Sequence, residues 1–208
     1  MKAVVFDFDG TLADSLLGVL AVYERAHKRD VPLTTKAVEG FRHKSVLQIG
    51  RELGIPLYKF VWLAVFGRKA FRAHIDKVRV YGGIEPMLRQ LHAAGLQLYI
   101  LSLNNPENIH DFLRLHDLEQ YISAVYGKAF VLNKAPRLRV LMNQQGLERD
   151  DICFVGDQTI DVDSARRAGV RSVAVSWGYA AREKLARHQP TALVDTTEEL
   201  QKVLVSWQ

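Results

Sequence analysis

The chain has 208 residues and a net charge of +5, with 48% hydrophobic and 25% charged residues, a composition typical of soluble globular proteins. No apolar run reaches eighteen residues, so we predict no transmembrane helix, and Asp7 and Asp9 interrupt the first apolar run too early for a signal peptide. A single cysteine, Cys153, excludes an intrachain disulfide, and these features together predict a cytoplasmic protein.

The positive charge is unevenly distributed along the chain. Residues 15–80 hold thirteen Lys and Arg against five Asp and Glu, whereas the rest of the chain holds fifteen against eighteen. The basic residues follow helical patterns and lack the aromatic residues that stack on bases, so we predict no nucleic-acid partner. Most of them fit solvated helix faces, and the others would suit a positive surface over an anionic substrate.

Apolar runs alternate with helical patterns along the chain. The predicted strands are Ala3–Phe6, Leu96–Leu101, Ile152–Val155, Ser172–Val175 and a short edge strand, Ala192–Val194. This alternation predicts an α/β fold with a Rossmann-like, doubly wound parallel sheet.

Helical periodicity dominates between the first two predicted strands, over residues 15–80. This stretch is too long for a simple crossover, so we interpret it as an α-helical cap domain inserted into the core. The predicted domains are therefore a discontinuous core, residues 1–14 and 81–208, and a cap, residues 15–80.

Two carboxylates, Asp7 and Asp9, follow the first predicted strand, and Gly10 and Thr11 come next. Because alternate residues of a strand share a face, both carboxylates can turn toward one site at the strand's carboxyl end, where open α/β sheets bind ligands. Two anions so close together are tolerable mainly when a cation lies between them. The alternative is a turn that uses Asp and Gly for local hydrogen bonds.

Further polar residues end two other predicted strands. Ser102, followed by Leu103 and Asn104, can donate to a phosphate beside backbone amides, although a strand-ending serine can also cap a helix. Asp157 is a hard oxygen ligand suited to Mg²⁺, and Asp161 falls one helical turn later. A helix N-cap would also explain Asp157.

These motifs resemble those of the haloacid dehalogenase superfamily of phosphotransferases. Asp-x-Asp-Gly-Thr after a hydrophobic strand is similar to its first motif, and Gly-Asp-x-x-x-Asp is similar to its metal-binding motif. The resemblance covers the whole chain, and the segment ending at Tyr179 looks like the phosphoglycolate-phosphatase-like branch, which carries a helical cap between the first two motifs. It implies that Asp7 is the nucleophile, that Asp9 is the general acid and base, and that Asp161 orients the lysine and metal-bound water.

The resemblance also implies which residues bind the metal ion and which bind the phosphate group. Mg²⁺ would be held by Asp7, the carbonyl oxygen of Asp9 and Asp157. The phosphate-binding residues would be Gly10, Thr11, Ser102, Leu103, Asn104 and Lys134. Lys128 is a rival for the family's lysine, and we favour Lys134 because it directly precedes a predicted helix in a Lys-x-Pro arrangement. Leu103 departs from the small residue common at its position and would narrow the pocket.

The implied function is Mg²⁺-dependent hydrolysis of a small phosphorylated metabolite through an aspartyl-phosphate. A β-phosphoglucomutase-like sugar phosphate isomerase keeps the same motifs and stays an alternative, as does a non-catalytic phosphate-binding protein. Haloacid dehalogenases lack the second aspartate, so Asp9 argues against that activity. In the cap, Arg42, His43 and Lys44 are the best candidates for recognising the leaving group, with a solvated helix start as the alternative.

Overall fold

The computed structural model describes residues 1–15, 75–127 and 133–208, together with Gly40, Arg51, Glu52 and Arg72, which have helical backbone. The strands are β1 (Ala3–Phe6), β2 (Ala13–Asp14), β3 (Arg79–Val80), β4 (Gln97–Leu101), β5 (Ala124–Tyr126), β6 (Ile152–Gly156), β7 (Arg171–Val175) and β8 (Ala192–Val194). The α-helices are α1 (Ile84–Ala93), α2 (Pro106–Leu115), α3 (Ala135–Gln145), α4 (Thr159–Ala168), α5 (Arg182–Arg187) and α6 (Thr197–Ser206). Short 3₁₀ helices span Ile75–Lys77, Glu119–Tyr121 and Arg149–Asp151.

Six strands form one parallel sheet in the order β5-β4-β1-β6-β7-β8. The chain therefore builds outward from β1 in one direction through β4 and β5, and then in the other through β6, β7 and β8. The strand order reverses at β1, and the crevice beside such a reversal is where open parallel sheets bind ligands. The predicted α/β class and parallel sheet are confirmed.

Strand β1 is apolar throughout because both of its faces are buried. Val4 and Phe6 pack into a core shared with α1, α2 and α6, whereas Ala3 and Val5 pack on the opposite face against residues of α3 and α4. Helices therefore cover both faces of the sheet. Each strand end at the carboxyl edge is in this way held between two packed layers, which gives the side chains there a rigid support.

Two strand pairings differ from the expectation or add to it. Strand β5 has only three residues and was not predicted, because so short a run carries little periodic signal. The antiparallel pair of β2 and β3 joins residues 13–14 to residues 79–80, so the chain leaves the core and returns to it side by side. The predicted cap, residues 15–80, lies almost entirely outside the described residues, and the domain boundaries stay a prediction.

Within the part of the chain that the structure describes, none of the helices is both long and apolar enough to cross a membrane.

Candidate active site

The predicted site residues of the core meet at the carboxyl edge of the sheet. Asp7 follows β1, Ser102 follows β4 and Asp157 follows β6, and all three side chains are buried. The main-chain N–H of Asp7 still donates to Val155 O at 2.8 Å, so the parallel pairing with β6 continues to Asp7. The topology thus brings three distant segments of sequence to one place.

Lys134 is the cation of this site. Its Nζ atom lies 2.7 Å from Asp7 Oδ2 and 2.8 Å from Asp161 Oδ1, and its side chain is only 2% exposed. Its backbone N–H donates to Ser164 Oγ at 2.9 Å, which fixes the start of α3 against α4. Burial alone would lower the pKa of Lys134, but Asp161 and Asp7 raise it above its ordinary value, so the ammonium stays charged. The rival, Lys128, lies outside the described residues.

Three buried carboxylates lie close together beside Lys134, which is the one cation that the described residues place among them. Asp7, Asp157 and Asp161 each offer one oxygen, and these oxygens lie within 4.8 Å of one another. Burial raises the pKa of Asp7 to about 7 against the opposing effect of Lys134, and burial together with the charge of Asp7 raises the pKa of Asp157 well above its usual range. One ammonium does not balance three carboxylates, and an all-oxygen donor set of this kind could hold a hard divalent cation.

Hydrogen bonds orient the carboxylates of Asp157 and Asp161. Asp157 accepts from the Thr11 hydroxyl at 3.2 Å through Oδ1 and from the Tyr179 N–H at 2.7 Å through Oδ2. Asp161 accepts from the Gln158 N–H at 3.0 Å through Oδ2, as part of the box that caps α4. Its other oxygen, Oδ1, is paired with the ammonium of Lys134 at 2.8 Å.

Asp9 is not part of the group formed by Asp7, Asp157 and Asp161, and the side-chain amide of Asn104 holds its carboxylate. The Nδ2 atom of Asn104 donates to Asp9 Oδ2 at 3.1 Å. Asn104 is held in turn by two further bonds: its Oδ1 accepts from the Asn108 amide at 3.0 Å, and its backbone N–H donates to Ser102 Oγ at 3.0 Å. Burial raises the pKa of Asp9, while hydrogen bonds from Ser15 and Asn104 oppose that increase. Hydrogen bonds therefore restrict the orientation of the Asp9 carboxyl.

Gly10 has a packing role that only glycine can fill. Its φ of 85° is left-handed, and a Cβ atom here would overlap the Asp157 carboxylate and the Tyr179 ring. The Trp177 indole N–H donates to Thr11 O at 3.1 Å, so the segment after β7 lies directly on the loop after β1. Packing and this hydrogen bond therefore hold the Asp-x-Asp-Gly-Thr loop against Asp157 and the segment after β7.

The structure thus brings together the core set proposed from the sequence, and the roles of its members stay predictions. Arg42, His43 and Lys44 lie outside the described residues. Sequence reasoning missed Ser15 as a partner of Asp9, Tyr179 as a partner of Asp157, and Asn108 as a partner of Asn104. Only Asn108 carried a local signal, because it follows Asn104 by one helical turn.

Comparison with known proteins agrees with this geometry. A sequence model of the haloacid dehalogenase-like hydrolase family matches residues 4–175. The chain is 32% identical over 203 residues to a phosphoglycolate phosphatase of Synechococcus elongatus, covering 96% of this chain and 95% of that protein. It is 28% identical over 219 residues to a 5′-nucleotidase of Pseudomonas aeruginosa, with 98% and 95% covered.

The fold has solved counterparts as well. A haloacid dehalogenase-like family hydrolase from Streptococcus pneumoniae superposes with a TM-score of 0.79 at 21% identity, covering 100% of this chain and 99% of that one. The match to the family model runs from β1 into β7 and so includes every core motif. The predicted resemblance and phosphatase class are confirmed. The chain belongs to the haloacid dehalogenase-like hydrolase family, and it is a phosphatase.

Proposed function

We propose that this phosphatase is an Mg²⁺-dependent phosphomonoester hydrolase that acts on a small phosphorylated metabolite through an aspartyl-phosphate on Asp7. The observation that carries the proposal is the buried contact between Asp7 and Lys134, at 2.7 Å, beside the carboxylate of Asp157. A carboxylate held by a buried cation at a strand end is suited to in-line attack on phosphorus, and the adjacent carboxylate supplies a further oxygen ligand for a metal ion.

The residues fit a magnesium ion. Mg²⁺ in proteins takes oxygen ligands, usually with one or two carboxylates among them. Burial raises the pKa values of Asp7 and Asp157, and a bound cation would favour their ionised forms. Asp7, Asp157 and the carbonyl oxygen of Asp9 would hold the ion, and Asp161 supports the site through Lys134. When bound, the ion would offset the repulsion between the nucleophile and the anionic phosphate.

The chain's own residues divide the reaction into two steps. In the first, Asp7 Oδ forms a bond to phosphorus, the ester P–O bond breaks, and Asp9 gives its proton to the departing alkoxide. Lys134 and the Ser102 hydroxyl stabilise the charge on the phosphoryl oxygens. In the second, Asp9 takes a proton from the attacking water, and the bond between Asp7 and phosphorus breaks to release inorganic phosphate.

The substrate class rests on the relatives. Similarity to a phosphoglycolate phosphatase over nearly the whole of both chains supports a small phosphorylated carboxylic acid, of which phosphoglycolate is the first to test. The similarity to a 5′-nucleotidase makes nucleoside 5′-monophosphates the second class. Recognition of the leaving group would fall to the cap, where Arg42, His43 and Lys44 stay the predicted contacts.

The test is a phosphate-release screen over phosphoglycolate, sugar phosphates and nucleoside monophosphates. We expect turnover with Mg²⁺, loss of turnover after chelation and poor replacement by Ca²⁺, whose longer and looser coordination would misplace the nucleophile. Full activity after exhaustive chelation would refute the metal assignment. In the same screen, conversion of β-glucose 1-phosphate to glucose 6-phosphate without phosphate release would instead establish the isomerase alternative.

The cap prediction has its own test. Arg42→Ala should lower kcat/KM for the preferred substrate about tenfold or more if a charged hydrogen bond is lost, and should hardly change hydrolysis of p-nitrophenyl phosphate. Equal losses on both substrates would assign Arg42 to the common machinery or to folding.

A further inference from the structure

We propose that the hydroxyl groups of Ser15 and Tyr179 position the carboxyl of Asp9 for proton transfer to the leaving group. The inference rests on the proposed function, because it assigns supporting residues to the same acid–base group. Ser15 and Tyr179 are positioning residues here, since they act through Asp9.

The two hydroxyls form a buried pair that joins distant parts of the chain. Ser15 Oγ lies 2.8 Å from Tyr179 OH, and both side chains are buried. Ser15 follows β2 directly, whereas Tyr179 lies in the segment after β7. Buried hydroxyls away from water need partners, so this contact satisfies each group and fixes where the other can point.

The direction of the hydrogen bonds follows from protonation. Ionised Asp9 can only accept hydrogen bonds, so the single proton of the Ser15 hydroxyl goes into its hydrogen bond to Asp9. The Ser15 oxygen is then left to accept, and the Tyr179 hydroxyl, 2.8 Å away, is its donor. The result is a chain of donors from Tyr179 through Ser15 to Asp9.

A second donor holds Asp9 from another element. The Asn104 amide contacts both carboxylate oxygens, at 3.1 and 3.4 Å, and is anchored by Asn108 on α2. With donors from Ser15 and Asn104, rotation of the Asp9 carboxyl is restricted. A general acid works only when its proton is held within hydrogen-bonding reach of the leaving oxygen, so this restriction has a catalytic purpose.

The backbone of Tyr179 makes its phenol a rigid support. Its N–H donates to Asp157 Oδ2 at 2.7 Å, and a Cβ atom at the preceding Gly178 would overlap Asp157. The same residue therefore fixes the predicted metal carboxylate through its main chain and the predicted acid through its hydroxyl. Filling space alone would need no hydroxyl, because a phenylalanine ring would occupy the same volume.

The experiment uses leaving groups that differ in their need for an acid. Tyr179→Phe keeps the ring and the backbone donor, and Tyr99→Phe, which removes a hydroxyl bonded to Gln97 in the core, is the matched control. For each variant, kcat/KM is measured with p-nitrophenyl phosphate and with the alkyl phosphomonoester that the wild type hydrolyses best. The p-nitrophenolate ion leaves without protonation, and kcat/KM excludes the later hydrolysis of the aspartyl-phosphate.

We expect Tyr179→Phe to lower kcat/KM about tenfold for the alkyl ester and to change kcat/KM less than about twofold for p-nitrophenyl phosphate. The tenfold loss is a part of the roughly 10²–10⁴-fold that a positioned acid contributes. Ser15→Ala should give a larger selective loss, and the double variant should lose no more than Ser15→Ala, because Tyr179 acts through Ser15. Tyr99→Phe should leave both values unchanged.

An equal loss on both substrates, or no loss on either, would overturn the positioning role while leaving the phosphatase intact. A wild type inactive on every phosphomonoester would overturn the proposed function and this inference with it. Thermal melts with and without Mg²⁺ show whether the variants fold and bind metal as the wild type does. If Tyr179→Phe does not fold, the substrate ratio of Ser15→Ala decides the matter.

Discussion

Replacing Lys134 with methionine removes the only cation that the described residues place within the carboxylate cluster. Methionine has a similar length and leaves no cavity, so the change isolates the charge. The ammonium lies 2.7 Å from Asp7 and 2.8 Å from Asp161, with almost no exposure to water. We expect a marked loss of stability together with loss of turnover.

The magnitude follows from the burial of this group. At an effective dielectric of about 20, each of the two contacts is worth roughly 6 kcal/mol, and the desolvation of the ammonium and the carboxylates offsets much of that sum. What remains in the variant is buried negative charge without a partner, which costs about 3–5 kcal/mol in comparable cases. The pKa of Asp7, already raised to about 7 by burial, would rise further without Lys134, so the loss should grow as the pH rises.

Urea unfolding followed by circular dichroism at pH 5 and pH 8 measures this difference. Lys202→Met, at an exposed position on α6, is the control for loss of a lysine and should change the free energy of unfolding by less than about 0.5 kcal/mol. A loss below about 1 kcal/mol for Lys134→Met at pH 8, or a loss that is larger at pH 5, would refute the reasoning that the ammonium balances buried carboxylates.

Three further predictions concern single groups. Asp7→Asn should abolish turnover of p-nitrophenyl phosphate while the protein stays folded by circular dichroism, because an amide cannot attack phosphorus. Turnover near the wild-type rate would contradict the mechanism, provided that mass spectrometry shows no deamidation of the variant. Asp157→Asn should raise the melting temperature of the metal-free protein, because it removes a buried charge, and should abolish the increase in melting temperature with Mg²⁺. Asp150→Asn, at an exposed position, should do neither, and an unchanged response of Asp157→Asn to Mg²⁺ would remove Asp157 from the metal site. Burial raises the pKa of the Cys153 thiol to about 12, so the thiol should not react with Ellman's reagent at pH 8 until urea unfolds the protein. Reaction of the folded protein at the rate of a free thiol would contradict this burial.

The central strands could be predicted because burial on both faces demands an unbroken apolar run. Strands β1 and β6 are of this kind, and the side chains that follow them lie together because parallel strands share a carboxyl edge. Asp7 and Asp157 are therefore identifiable as neighbours from the sequence alone, although 150 residues separate them in the chain. The family resemblance assigned their chemistry, which spacing alone does not establish.

Other features had no local signal to find. The pair of β2 and β3 depends on two-residue segments that meet across the predicted insertion, and β5 is a three-residue edge strand. The contact of Ser15 with Tyr179 joins residues 164 positions apart through hydroxyls that are common in many settings. Such contacts depend on how loops pack on the finished sheet, so periodicity and propensity carry no information about them.

The electrostatics of the cluster explain why so unfavourable an arrangement is kept in a folded core. An aspartate whose pKa rises from 3.8 to about 7 on folding is ionised in the unfolded chain at a lower pH than in the folded one, so its ionisation reduces stability as the pH rises from about 4 to about 7. A shift of this size corresponds to about 4 kcal/mol at neutral pH. A divalent cation bound among the carboxylates would offset this cost, because a nearby positive charge favours the ionised form of Asp7. Under the proposed function, metal binding would therefore relieve the cost of ionising Asp7, and this is a reason for the charge to be buried at the sheet edge instead of exposed to water.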